Sequence, residues 1–169
     1  MATGIQSDTT SSRYTTIRLI EGATAATSIP TEQAAADALK SSPTSVQFFD
    51  LSLLGLPAGV LNADWEIFVW NTAGTNPVTC KVRLWAYKIP VSGTAGTVFP
   101  WGVGTGAAKG IINEFATIDE SDTDKVRHWE RIPGPGMADG IMAQVHTLSG
   151  TGAEALTIDV RCPKNATRS

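Results

Sequence analysis

The segment between residues 62 and 90 contains two strand-like runs separated by a turn rich in Gly, Asn and Pro. Side chains of a β-strand point alternately to opposite faces, so the two runs together predict a hairpin. The first run places on one face Trp65, Ile67 and Val69, and on the other Phe68 and Trp70. The second run places on one face Val78, Cys80, Val82, Leu84 and Ala86, and on the other Thr79, Lys81, Arg83, Trp85 and Tyr87. Both faces of this predicted hairpin therefore carry large apolar side chains.

Strand-like runs continue over most of the chain. They cover residues 13–20, 45–56, 64–71, 78–89, 111–118, 125–132, 140–148 and 155–162. The segments between them are rich in Gly, Pro, Asn and Ser, which is typical of turns and loops. The runs 140–148 and 155–162 alternate cleanly on either side of Gly150 and Gly152, so they predict a second hairpin.

One helix is predicted, over residues 29–43, because Thr31 can cap its start and Pro43 ends it. Helices do not recur between the strands, which disfavours a parallel sheet. Seven or eight short strands with long loops predict an all-β fold, an antiparallel β-sandwich of jelly-roll type. The predicted organisation is an extended N-terminal arm over residues 1–13, an arm and short-helix segment over 14–44, the sandwich domain over 45–162 and a C-terminal tail over 163–169.

The charge of the chain argues against a nucleic-acid partner. Thirteen basic and sixteen acidic residues among 169 give a net charge of -3, and Lys and Arg form no run, so we expect no nucleic-acid partner. No apolar stretch approaches the roughly 18 residues of a membrane span, and none of signal-peptide length occurs near residue 1, so we expect no membrane partner either. Cys80 and Cys162 fall on apolar strand faces and predict two buried thiols. A disulfide between neighbouring strands is the alternative.

The motifs that resemble reactive sites are incomplete. The sequence GVGTGAAKG at 102–110 lacks the Gly-Lys order of a phosphate loop and is not followed by a helix pattern. The acidic run at 119–125 lacks the turn glycine and the distal glutamate of a calcium loop. His128 and His146 have no further ligand at zinc spacing, and no nucleophile elbow occurs. We therefore expect a protein that is not an enzyme, with no catalytic residue, cofactor or metal site.

The second apolar face of the first hairpin must be covered by other residues. If it were exposed to solvent, its aromatic patch would be larger than the patches that soluble monomers usually show. Three covers are open: the chain's own segment 21–43, a copy of the same protein, or a different protein. Aromatic side chains accompanied by Arg are the usual anchors of protein interfaces. The predicted partner interface consists of Phe68, Trp70, Arg83, Trp85 and Tyr87.

Two stretches, VRHWERIPGPGMADGIMAQVHTLSGTGAEALTIDVRC at 126–162 and DWEIFVWNT at 64–72, resemble the small β-sandwich structural proteins of tailed-bacteriophage virions. The resemblance covers roughly residues 45–162, and the Ser/Thr-rich arm and the scarcity of lysine add to it. It implies a capsid decoration (cement) protein that binds and stabilises the assembled head. It further implies contact with the major capsid protein or other virion proteins, a dimer or trimer, an arm that orders on binding, and location in the virion after synthesis in the host cytoplasm.

Two other functions stay open. The first is a neck, tail or baseplate component built on the same sandwich. The second is a carbohydrate-binding or receptor-binding module, in which accessible aromatic side chains stack on sugar rings. The predicted stacking residues are Trp101, in the loop sequence VFPWGVG, and Trp129, with Tyr87 as a further candidate.

Overall fold

The computed structural model of the protein describes residues 4–6, 13–23, 48–71, 78–88, 97–101, 111–118, 128–149 and 155–164. These residues form mostly antiparallel β-sheet with little helix, which confirms the predicted all-β class. The strands are β1 (Gly4–Gln6), β2 (Tyr14–Ala23), β3 (Phe49–Asp50), β4 (Asp64–Asn71), β5 (Val78–Lys88), β6 (Thr97–Pro100), β7 (Ile111–Ile118), β8 (His128–Pro133), β9 (Gly140–Ser149) and β10 (Leu156–Pro163). A 3-10 helix (Leu51–Leu54) and a short α-helix, α1 (Ala58–Leu61), lie between β3 and β4. The helix predicted over 29–43 lies outside the described residues.

The strands form two sheets. Sheet A has the order β1-β2-β10-β4-β8, and sheet B has the order β3-β9-β5-β6. Strand β7 also pairs with β5. Strands β6 and β7 lie along the same edge of β5, because β9 pairs with the opposite edge. The pairings are nested along the chain: β2 pairs with β10, β3 with β9, β4 with β8 and β5 with β7, all antiparallel.

Neither predicted hairpin forms. Strands β4 and β5 lie in different sheets, and so do β9 and β10. Alternation determines which side chains of a strand share a face, but it does not say which strand lies alongside, because many strands carry the same pattern. Each of these two connections carries the chain from one sheet to the other.

The strand predicted over 45–56 is much shorter than expected. The Asp50 carboxylate accepts a hydrogen bond of 2.8 Å from the Ser52 N–H and so caps the 3-10 helix immediately after β3. Gly55 ends this helix with φ at 57°, a conformation that glycine adopts without steric cost. In the described part of this segment only Phe49 and Asp50 form a strand, and Leu51–Leu54 form the 3-10 helix, of which only Leu51 is buried.

Three residues of the predicted N-terminal arm form β1. Within this strand Ile5 lies opposite Ile17 of β2, at one edge of sheet A. The described part of the chain after β10 returns to the same region, since the Lys164 N–H donates to the Arg13 carbonyl at 2.8 Å. The other residues of the predicted arm, apart from Arg13, lie outside the described ranges.

Buried apolar side chains from both sheets belong to one hydrophobic cluster. Sheet A contributes Ile17, Leu19, Ile20, Trp65, Ile67, Val69, Ile132, Leu156, Ile158, Val160 and Cys162. Sheet B contributes Phe49, Cys80, Val82, Leu84, Ala86, Ile141, Ala143 and Val145. The apolar face predicted to line the core is confirmed for β4 and for the part of β5 after Thr79, where the fully buried side chains are Trp65, Ile67, Val69, Cys80, Val82, Leu84 and Ala86.

Candidate functional site

One face of sheet A points away from the hydrophobic cluster. Residues directly opposite each other in antiparallel strands lie on the same face. One row across this face consists of Trp129, Phe68, Asp159 and Arg18, and the next of Arg131, Glu66, Arg161 and Thr16. We name the surface formed by Tyr14, Arg18, Phe68, Trp70, Trp129 and Arg161 the aromatic–arginine face.

An ion pair lies within this face. Arg18 Nε donates to Asp159 Oδ1 at 3.0 Å, and Arg18 Nη2 donates to Asp159 Oδ2 at 3.4 Å. The two side chains are 17% and 4% exposed, so solvent and salt screen the pair only weakly. Arg18 Nη1 also donates to Glu21 Oε1 at 3.0 Å. The hydrogen bond to Asp159 is the main cause that raises the pKa of Arg18, so the guanidinium stays charged and fixed in orientation.

The guanidinium groups of this face lie over aromatic rings. The Arg18 Cζ is 5.7 Å from the centroid of the Trp70 ring. The Arg161 Cζ is 4.8 Å from the Phe68 centroid and 5.6 Å from the Tyr14 centroid. Cations within about 6 Å of a ring centroid gain about 0.5–1 kcal/mol each at exposed sites. The arginines and rings therefore hold one another in place and present an ordered mixed surface.

Strand β8 stands at the edge of sheet A and carries the most open ring of this face. Trp129 is 54% exposed and lies opposite Phe68 in the β4–β8 pairing. On the same strand Arg131 Nη1 lies 3.7 Å from Asp64 Oδ2, and both of these side chains are largely exposed. The edge thus combines an accessible indole with a weak surface ion pair.

The five residues predicted as a partner interface do not form one surface. Phe68 and Trp70 lie half-buried on the aromatic–arginine face. Arg83, Trp85 and Tyr87 lie on the outer face of sheet B, since β5 belongs to that sheet. The two groups are separated because the hairpin that would have joined them does not form.

Arg83 and Trp85 are covered within a single copy of the chain, at 6% and 1% exposure. Trp85 Nε1 donates to Gln144 Oε1 at 3.0 Å, and the Arg83 Cζ lies 5.5 Å from the Trp85 ring centroid. Tyr87 is half-buried, with its ring 5.4 Å from that of Phe48. Residues of the same chain therefore cover Arg83 and Trp85, whereas the segment 21–43, one of the three covers named from the sequence, lies outside the described residues beyond Ala23. In this conformation these two side chains are inaccessible to a partner.

Trp101, predicted to stack on sugar, belongs to the core instead. It is 3% exposed, and its ring meets Trp65 edge-on, with centroids 5.6 Å apart and planes at 89°. Its Nε1 donates to the Pro133 carbonyl at 2.7 Å, so the polar atom is satisfied as well. The Pro and Gly neighbours of Trp101 indicated a loop, but burial of a large aromatic ring decided its position. A buried indole offers no ring face to a ligand.

Sequence reasoning misses four residues of this site: Tyr14, Arg18, Asp159 and Arg161. The available signal is the polar phase of β10, where Asp159 and Arg161 alternate with buried Ile158 and Val160. That signal places the two side chains on one face of their strand. Only the pairing of β10 with both β2 and β4 brings aromatic rings beside them.

The two cysteines are buried free thiols, as predicted, so the disulfide alternative is wrong. Cys80 lies in sheet B and Cys162 in sheet A. Burial raises the pKa of Cys80 to about 12 and that of Cys162 to about 11. Among the described residues, no three His, Cys, Asp or Glu side chains are close enough together to hold a metal ion. Within the same ranges, every helix is too short or too polar to cross a bilayer.

No protein family, no curated protein and no solved structure matches this chain.

Proposed function

We propose that the two sheets pack face to face as a jelly-roll sandwich, with eight principal strands and with β1 and β6 as additions. The nested pairings support this arrangement, because successive pairs alternate between the sheets: β2–β10 in sheet A, β3–β9 in sheet B, β4–β8 in sheet A and β5–β7 in sheet B. The hydrophobic cluster shared by both sheets supports it as well. Jelly rolls recur in viral capsid proteins and in lectin domains.

We further propose that the protein is a non-enzymatic structural protein of a phage virion, a capsid decoration protein that binds and stabilises the assembled head. The observation that carries this proposal is the aromatic–arginine face. Half-buried rings interleaved with arginines on a surface directed away from the core have the composition of interface hot spots. The resemblance of residues 45–162 to small virion proteins supplies the class of partner, the major capsid protein or another virion protein.

The proposed mechanism is mass action. A subunit that binds only the assembled shell stabilises that shell by RT ln(1 + [L]/Kd), where [L] is the concentration of free subunit. Arg18 and Arg161 are already held over rings in the free protein, so little side-chain entropy remains to be lost when a partner docks. In this proposal the subunit acts as a dimer or trimer, and residues 1–13 provide an additional contact to the shell.

The decisive experiment is quantification of the protein in purified particles. A decoration protein is expected in a copy number that matches the capsid lattice, and it should co-sediment with empty heads. A copy number of about a dozen or fewer would favour the alternative of a neck, tail or baseplate component. Absence from purified particles would overturn the virion proposal.

A paired experiment tests the docking face. We expect Trp129→Ala to weaken co-sedimentation with heads at least tenfold, which corresponds to about 1.4 kcal/mol. Lys164→Ala is the control, because Lys164 is exposed but lies just after the end of β10 and is not part of the aromatic–arginine face. Equal effects of the two substitutions would count against the aromatic–arginine face as the docking surface.

A second candidate function is carbohydrate binding, and the exposure of Trp129 next to Phe68 favours it. Two neighbouring rings at a sheet edge suit the stacking of a sugar. Titration with oligosaccharides should then quench tryptophan fluorescence in the unmodified protein and not in Trp129→Ala. Quenching that persists in the variant would exclude Trp129 as the stacking residue.

A further inference from the structure

A half-open pocket of about 210 Å³ lies at the end of the molecule where β3 meets β9. Its apolar walls are Leu51, Leu56, Leu61 and Ala138. Ser52 and Gly55 complete one side, and Asp50 and Asp139 add two carboxylates. The walls thus come from two separate chain segments, 50–61 and 138–139.

Backbone hydrogen bonds hold these two segments together. The Leu51 N–H donates to the Asp139 carbonyl at 2.9 Å, and the Gly136 N–H donates to the Leu61 carbonyl at 2.8 Å. The Asp139 N–H donates in turn to the Tyr87 carbonyl of β5 at 2.8 Å. The pocket is therefore formed before any ligand arrives, as small binding sites usually are.

Two exposed apolar side chains adjoin pocket-lining residues in the chain, since Leu53 follows Ser52 and Met137 precedes Ala138. Leu53 is 68% exposed and Met137 is 80% exposed. Leu53 lies two residues after Leu51, and Met137 lies two residues before Asp139, the two residues joined by the hydrogen bond between the wall segments. Large apolar side chains that stay in water beside an apolar pocket extend the surface that a partner can bury.

The volume and the charge of the pocket specify what it accepts. An apolar cavity of roughly 150 Å³ is known to hold benzene, so about 210 Å³ accommodates one aromatic side chain. Asp139 is paired with Lys88, whose Nζ lies 3.1 Å from Asp139 Oδ1. Among the described residues, no cation pairs with the exposed Asp50, so the rim retains one uncompensated negative charge.

We propose that this pocket binds an aromatic side chain of a partner protein in which a neighbouring Lys or Arg faces Asp50. The apolar walls receive the ring, Leu53 and Met137 cover its edges, and the Asp50 carboxylate attracts the cation. This contact is separate from the aromatic–arginine face and does not depend on the identity of the partner as a virion protein.

Amide chemical shifts of the full-length, 15N-labelled protein test the proposal. The probes are N-acetyl-Phe-Lys-amide, N-acetyl-Phe-Glu-amide and N-acetyl-Ala-Lys-amide. We expect N-acetyl-Phe-Lys-amide to shift the amides of Leu51, Ser52, Ala138 and Asp139, with about two- to fivefold tighter binding than the Phe-Glu probe. The Ala-Lys probe should leave these amides in place.

Two kinds of variant separate the contribution of the Asp50 charge from that of the apolar side chains. Asp50→Asn keeps an acceptor for the Ser52 N–H, since Asn caps helices as well as Asp does, and it should equalise binding of the two Phe probes. Met137→Ser should weaken both Phe probes at least twofold, whereas Trp129→Ala should weaken neither. The proposal is overturned if the Phe-Lys probe leaves the pocket amides unshifted, if the Ala-Lys probe shifts them equally, or if Asp50→Asn retains the preference for the cation.

Discussion

Arg18 and Asp159 are 141 residues apart in sequence, yet their side chains meet at 3.0 Å in sheet A. The contact follows from the antiparallel pairing of β2 with β10, which places the two residues directly opposite each other. It also fixes the guanidinium that covers Trp70. One part-buried ion pair therefore links the pairing of distant strands to the order of the aromatic–arginine face.

Loss of one partner of this pair should destabilise the fold strongly. We expect Asp159→Ala to lower the free energy of unfolding by about 3 kcal/mol, because Arg18 is left poorly solvated without its main counter-charge. Urea denaturation measures the change. Asp64→Ala, which removes the exposed partner of Arg131, should cost less than about 0.5 kcal/mol. Equal losses for the two variants would contradict a buried role for the Arg18–Asp159 pair.

Truncation of two tryptophans should separate a core residue from a surface residue. We expect Trp101→Ala to cost about 3–5 kcal/mol of unfolding free energy, because it removes a buried ring that packs on Trp65 and leaves a cavity. Trp129→Ala should stay within about 0.5 kcal/mol, since its ring is more than half exposed. Chemical denaturation of both variants checks this order, and a larger loss for Trp129→Ala would refute it.

Gly134 should not tolerate a side chain. A Cβ at this position would lie 2.2 Å from the Leu61 carbonyl oxygen and 2.5 Å from the Ala63 carbonyl oxygen, and both are backbone atoms. We expect Gly134→Ala to lower the free energy of unfolding by about 2 kcal/mol or more. Gly140→Ala is the control, because its nearest atom, the Phe49 carbonyl oxygen, lies 3.2 Å away. Thermal melting of the two variants should show the larger loss for Gly134→Ala.

Stability should fall in alkaline solution because of the two thiols. Burial raises the pKa of Cys80 and Cys162 above the ordinary value of 9.0, so above pH 9 the unfolded chain releases thiol protons that the folded chain still holds. The stabilising contribution is complete below pH 9 and is lost as pH rises toward 11 for Cys162 and toward 12 for Cys80, by up to about 1.4 kcal/mol per pH unit for each thiol. Urea denaturation at pH 8 and pH 10 measures the loss.

The control for the thiol prediction is the double variant Cys80→Ala/Cys162→Ala. It retains every lysine and tyrosine that also titrates above pH 9, so only the thiol contribution changes. Its stability should fall less between pH 8 and pH 10 than that of the unmodified protein. Identical pH dependence in both proteins would show that the thiols contribute nothing.

The strand positions were largely predictable from the sequence. The runs at 64–71 and 111–118 coincide with β4 and β7, and the other predicted strands outside 45–56 shift by three residues at most at either end. Strand β6 is missed, because residues 97–100 lie within a Gly-, Pro- and Thr-rich segment whose loop signals outweigh four strand residues. The apolar composition of 45–56 predicted a strand, but Asp50 caps a 3-10 helix over Leu51–Leu54 within this segment.

The candidate site was predictable only in part. Alternation correctly separates Phe68 and Trp70 from the core face of β4, and the same reasoning places Trp85 on the outer face of β5. It does not reveal that these two strands lie in different sheets. The sequence left open what covers Trp85, and it contains no sign that Gln144 contacts it or that Trp101 enters the core.

The sequence alone determined the all-β class and the buried alternation of the strands, because these depend on the period of the side chains within one strand. Only the tertiary structure decided which strands are neighbours, and therefore that Arg18 meets Asp159 and that Phe68 meets Trp129. Pairing depends on contacts between residues far apart in the chain, and several strands with the same alternation satisfy any local rule equally well. The burial of a shared core selects among them.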